Sequence, residues 1–141
     1  MDSGEIYRHA RFYADRDTGA YRAKYPVFLA QARGGDWVAR LLTSRENMRP
    51  RDPRCSHADP YPGYFLGIPG APLELETWVD LRAFDDVDAK EAQVLIRSRA
   101  MRFALRLAPE TLADILECTA GGPDTTLRQE KALRDRLAGL R

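Results

Sequence analysis

The sequence predicts a mainly β domain with helices gathered at its C-terminal end, an α+β arrangement or a small barrel. Period-two alternation marks two segments. In one, Trp37, Ala39, Leu41 and Thr43 share one face and Val38, Arg40, Leu42 and Ser44 the other; in the second, Met101, Phe103, Leu105 and Leu107 alternate with Arg102, Ala104 and Arg106. The last third changes to helical spacing, with Leu112, Ile115, Leu116 and Thr119 on one stripe and Leu133, Leu137 and Leu140 on another. At 141 residues, with 44% hydrophobic and 30% charged residues, the chain has material for one core and too little for two.

In chain order, Glu5-Ile6-Tyr7-Arg8 reads as a short opening strand. Arg11 to Lys24 is polar, with Asp15, Asp17 and Gly19 as turn formers, and is expected to be a surface loop. Tyr25 to Ala32 is almost wholly apolar, as a strand covered on both sides is, and Gly34-Gly35 turns it back into the strand Asp36–Ser44. Prolines 50, 53, 60 and 62 exclude regular structure over 46–62, which reads as a long loop, ordered or mobile. Tyr64–Ile68 and Thr77–Leu81 follow as strands around the turn Pro69-Gly70-Ala71-Pro72, and Asp85 to Glu91 as a turn or a short helical piece. After the Met101–Leu107 strand, Pro109 opens a helix that Gly121-Gly122-Pro123 ends; Asp124 or Thr125 then caps a second helix over Leu127–Leu140.

Net charge is +1, so no global basic field points to nucleic acid. The charges are nonetheless segregated. Residues 40–57 carry five arginines against Glu46 and Asp52, a balance of +3, and residues 74–91 seven carboxylates against Arg82 and Lys90, a balance of −5. Two cysteines, Cys55 and Cys118, lie far apart without the spacing of a disulfide framework or a zinc ligand set, so both are expected as free thiols. No metal or cofactor is expected. No apolar run reaches the roughly 18 residues of a spanning helix, and residues 1–5 carry no leader pattern, so the expected location is the cytoplasm.

Several landmarks then fall in a familiar order. Gly4-Glu5-Ile6-Tyr7, Tyr25-Pro26-Val27-Phe28-Leu29-Ala30, Leu41-Leu42-Thr43-Ser44-Arg45, Thr77 to Asp88 and Leu107-Ala108-Pro109-Glu110 together resemble the PemK/MazF family of bacterial toxins. The resemblance spans roughly residues 4–120. It implies a half-open, SH3-like β-barrel over 1–123 with 124–141 as an appended helix, expected to pack on its own barrel. It also implies metal-independent cleavage of single-stranded RNA, a cognate antitoxin as protein partner, and a homodimer. One position departs from the pattern: the arginine that precedes the strand proline in the family is Tyr25 here.

Cleavage by attack of a ribose 2′-hydroxyl needs a proton acceptor, a cation for the charge on phosphorus, and a donor for the leaving oxygen. Thr43 matches the family's functional threonine, with Ser44 beside it. Lys24 and Arg22 stand nearest the missing arginine and offer the charge. His57, in the proline-rich loop, is a residue type that titrates near neutrality. Arg45, Arg49 and Arg51 are candidates for gripping backbone phosphates, and Tyr61 for stacking on an unpaired base. A catalytically inactive barrel that binds nucleic acid or protein is the competing expectation.

Overall fold

A long antiparallel hairpin opens the computed structural model, which describes residues 1–141. Its arms are β1 (Glu5–Ala14) and β2 (Tyr21–Gln31), paired from Glu5↔Phe28 to Ala14↔Tyr21. The Asp15 carboxylate accepts from the amides of Asp17 and Thr18 and closes the turn. The stretch from Arg11 to Lys24 is therefore mostly strand rather than surface loop. Ladder hydrogen bonds come from the backbone, and polar side chains on a solvated hairpin end leave no apolar period to read.

The remaining strands are β3 (Trp37–Thr43), β4 (Cys55–Ser56), β5 (Gly63–Gly67), β6 (Thr77–Asp80) and β7 (Met101–Arg106); β4 is a two-residue strand inside the segment read as wholly irregular, formed where the chain between Pro53 and Pro60 runs alongside β5. The helices are α1 (Ala89–Arg97), α2 (Pro109–Ala120) and α3 (Leu127–Leu140). All strands join one antiparallel sheet in the order β4-β5-β6-β3-β2-β1-β7, with β4 and β7 as its two edges. The sheet is open. The predicted β2–β3 hairpin is present, its turn made by Gly34 and Gly35 at φ +103° and +101°, a region open to glycine at little cost. The segment 85–91 resolves into the start of α1, where the Asp88 carboxylate accepts from the amides of Lys90 and Glu91. The cap of α3 is Thr126 rather than Asp124 or Thr125, in a reciprocal box with Gln129.

Alternation along the strands divides the core in two. Ile6, Val27, Val38, Leu42 and Val79 face α2 and α3, packing with Leu112, Ile115, Leu116, Leu133 and Leu137. On the opposite face Tyr7, Phe28, Trp37 and Ala39 gather with Met101 under Ala92 of α1. The 124–141 segment thus contributes to the principal core. It also reaches a fully buried arginine: Arg40 donates to the Gln129 side chain at 3.1 Å, and Gln129 in turn donates to Asp86 at 2.8 Å.

The cysteines are joined in a Cys55–Cys118 disulfide, with 5.8 Å between their Cα atoms, which overturns the expectation of free thiols. The physical reason is topological. β4 pairs with β5 at the sheet edge, and β5 lies against α2, so residues 63 positions apart in sequence meet.

Gly63 tests how firmly this end is packed. A Cβ added there would stand 2.5 Å from Arg49 Cδ, and Arg49 is held by the carbonyls of Pro62 and Arg45. Gly63→Ala is therefore expected to lower stability by about 2 kcal/mol, as overpacking does; a chemical denaturation midpoint equal to that of the parent chain would show that the arginine shifts freely.

Candidate functional site

The β2–β3 register pairs Tyr25 with Leu42 and Pro26 with Leu41. Continued one step, it sets Lys24 opposite Thr43, and directly opposed residues of an antiparallel pair project from the same face. Thr43 is flanked on its other side by Trp78 of β6. The ends of these strands and the connection between β5 and β6 enclose a cleft of about 320 Å³. Lys24 enters from β2, Thr43, Ser44 and Arg45 from the exit of β3, and Leu73, Glu74 and Leu75 from the connection opposite.

Two cations, one carboxylate and the hydroxyl-bearing residues Thr43, Ser44, Thr77 and Tyr25 therefore border the same hollow. The Thr43 hydroxyl accepts from the Arg45 amide at 3.1 Å, which orients its oxygen and bends the chain away from β3. The ammonium of Lys24 lies 6.0 Å from the Tyr13 ring centroid. The ion pairs of this region engage Arg22, Arg49 and Arg51 and leave Lys24 and Arg45 for other anions. Tyr25 packs against the principal core.

The other sequence candidates have different surroundings. Arg22 pairs with Asp15 at 3.4 Å on the exposed hairpin. Arg51 forks onto Glu76 at 2.8 and 2.9 Å and reaches Glu46 at 3.1 Å, contacts that raise its pKa. Its guanidinium also lies 5.3 Å from the Trp78 ring centroid. Arg49 is 1% exposed. Its guanidinium turns inward, 3.4 Å from the Asp80 carboxylate, and burial lowers its pKa while Asp80 opposes that shift. Burial alone would raise the pKa of Asp80, but the Arg82 fork at 2.7–3.1 Å, the Arg82 amide and Arg49 outweigh it and hold the acid below its ordinary range. Tyr61 stands between the two cations, 5.3 Å from Arg49 and 5.5 Å from Arg82.

His57 is away from the cleft. Its ring rests on Gly121 and Gly122 at the end of α2, and Nε2 lies 2.8 Å from the Cys118 carbonyl oxygen. The structure thus brings together Lys24, Thr43, Ser44 and Arg45, and places Arg22, His57, Arg49, Arg51 and Tyr61 elsewhere. It adds Glu74, which the sequence shows only as one carboxylate in an acidic run. None of the family models, curated proteins or solved structures compared with the chain matches it.

Proposed function

We propose that the chain is a PemK/MazF-like endoribonuclease that binds single-stranded RNA across this cleft and cleaves it without a metal ion. The observation that carries the reading is the meeting of Lys24, Thr43, Arg45 and Glu74 on one hollow. In that arrangement Lys24 and Arg45 neutralise the phosphate. The Thr43 and Ser44 hydroxyls hydrogen-bond its free oxygens; the Glu74 carboxylate takes the 2′-proton as the 2′-oxygen bonds to phosphorus, and the P–O5′ bond breaks with the leaving 5′-oxygen taking a proton from water. The same reading makes the open sheet a half-open SH3-like barrel. It supplies a cognate antitoxin as the partner that restrains the enzyme, a homodimer as the working form, and the cytoplasm as the setting.

Incubating the full chain with unstructured, end-labelled RNA in excess chelator is expected to give fragments ending in 2′,3′-cyclic phosphate. Arg45→Ala is expected to slow the cleavage at least roughly a hundredfold, the scale of losing one group that stabilises the transition state. Thr43→Ala is expected to act in the same direction with the fold intact by circular dichroism.

A second reading, a barrel that binds RNA without cleaving it, is favoured by Tyr25 standing where the family places a cation. Intact RNA with retained, salt-sensitive binding would select that reading. Intact RNA with no binding would remove both.

A further inference from the structure

We infer that Cys55, His57 and Cys118 form a metal site: once the disulfide is reduced, the two thiolates and the imidazole bind one zinc-type divalent cation. The site is separate from the RNA cleft, and the inference does not depend on the proposed ribonuclease activity.

His57 Nε2 lies 3.5 Å from Cys55 Sγ and 3.8 Å from Cys118 Sγ, and the three ligand atoms fall within 4.8 Å of one another. Zinc–sulfur bonds of about 2.3 Å and a zinc–nitrogen bond of about 2.0 Å at tetrahedral angles place each sulfur about 3.6 Å from the nitrogen and about 3.8 Å from the other sulfur. Both sulfur–nitrogen distances already fit. Reduction has only to let the sulfurs part.

The surroundings hold the imidazole in this position. The ring lies against Gly121 and Gly122 at the end of α2, where a Cβ would meet it at ordinary contact distance, 3.5 Å from Cε1 at Gly121 and 3.9 Å from Cδ2 at Gly122, and Nε2 is anchored 2.8 Å from the Cys118 carbonyl oxygen. The fourth coordination position opens on a cleft of about 440 Å³ bordered by Asp114 and Glu117 of α2, where water or a carboxylate completes the tetrahedron. Asp114 accepts from the Tyr64 hydroxyl at 3.4 Å, a bond that would steady a carboxylate ligand.

A dithiol reductant gives two electrons and two protons to the S–S bond and is itself oxidised to a disulfide. The cation then displaces both thiol protons to solvent as it forms two metal–sulfur bonds. Nε2 now donates to the Cys118 carbonyl, so it carries the ring proton. In the metal-bound form the neutral imidazole holds that proton on Nδ1 and turns the Nε2 lone pair to the metal. Either linkage fastens β4 to the end of α2, so the sheet edge stays clasped in an oxidising or a reducing compartment.

The test uses the 141-residue, metal-free chain reduced with a water-soluble phosphine, which removes the disulfide as water supplies the oxygen of the phosphine oxide and the thiol protons. Cobalt(II) alone is titrated in. The expected result is one equivalent bound, with sulfur-to-cobalt charge transfer and the intense visible bands of tetrahedral cobalt, all displaced by zinc. The oxidised chain is expected to lack these bands. His57→Gln, which removes the ligand while leaving both cysteines, is expected to weaken binding at least roughly tenfold. Absence of thiolate–cobalt bands in the reduced chain would overturn the inference, as would an unchanged spectrum and affinity in His57→Gln. Should the variant not fold, the parent chain decides: zinc must raise the melting temperature of the reduced form and leave that of the oxidised form unmoved, and equal effects on both would overturn it.

Discussion

Asp80→Asn is expected to lower the unfolding free energy by roughly 3 kcal/mol at neutral pH, because it leaves the buried Arg49 guanidinium without its counter-ion. Arg49 is 1% exposed and Asp80 12%, so little water is present to take over the solvation. The three hydrogen bonds of the Arg82 fork weaken in the same substitution. The strand would remain paired, since Asp80 also takes part in the sheet through its backbone, opposite Gly63. A double variant, Arg49→Met with Asp80→Asn, is expected to recover a large part of the loss, since removing both charges leaves no orphan. A single variant within about 0.5 kcal/mol of the parent would refute this account.

The same carboxylate sets an acid dependence. Its folded-state pKa lies below the ordinary value of 3.8, so its ionised form is favoured by folding. The stabilisation is complete above that ordinary value and is lost as pH falls from there through the depressed folded value. Asp80→Asn should therefore cost much less in strongly acidic solution than at neutrality. A difference independent of pH would mean that the lost side-chain geometry, rather than the charge, is responsible.

How far the fold could be read in advance depended on whether the signal was local. The β2–β3 hairpin was legible because Tyr25–Ala32 is apolar, Gly34-Gly35 permits the tight turn, and the alternation of Trp37–Thr43 assigns each side chain a face that the register then confirms. Both C-terminal helices were legible from their stripes. The outer half of the first hairpin was not, because Arg11, Tyr13 and Arg22 decorate a solvated ladder. The open sheet order could not be read either, since it depends on pairings such as Thr43↔Trp78 between distant segments.

The candidate site divides along the same line. Lys24, Thr43, Ser44 and Arg45 sit within a step or two of one hairpin register; the resemblance singled out Thr43 and Lys24, and the register sets the two opposite each other. Arg49 and Arg51 were read as phosphate contacts from charge alone. Sequence charge does not reveal that Asp80 and Glu76, far along the chain, take those guanidinium groups first. Glu74 carried no signal to separate it from its acidic neighbours. His57 lay in the right loop for a catalytic group, but the strand at Cys55–Ser56 and the end of α2 claim it.

Reducing the Cys55–Cys118 bond in the presence of a chelator is expected to cost about 4 kcal/mol. Residues 63 positions apart are joined, and tying the ends of a loop that long removes a corresponding share of the unfolded chain's conformations. The cost is expected to fall locally as well. β4 has two residues and only β5 as neighbour, so without the cross-link it is held by that short ladder, by two hydrogen bonds between Arg54 and Phe65, and by the His57–Cys118 contact. Amide exchange in 54–57 should then accelerate far more than in β2 or β3. Cys55→Ala with Cys118→Ala should reproduce the loss and make the chain indifferent to reductant, which separates the cross-link from side effects of the reducing agent. A reduced chain within about 1 kcal/mol of the oxidised one would show that residual structure in the unfolded state already keeps these two segments together.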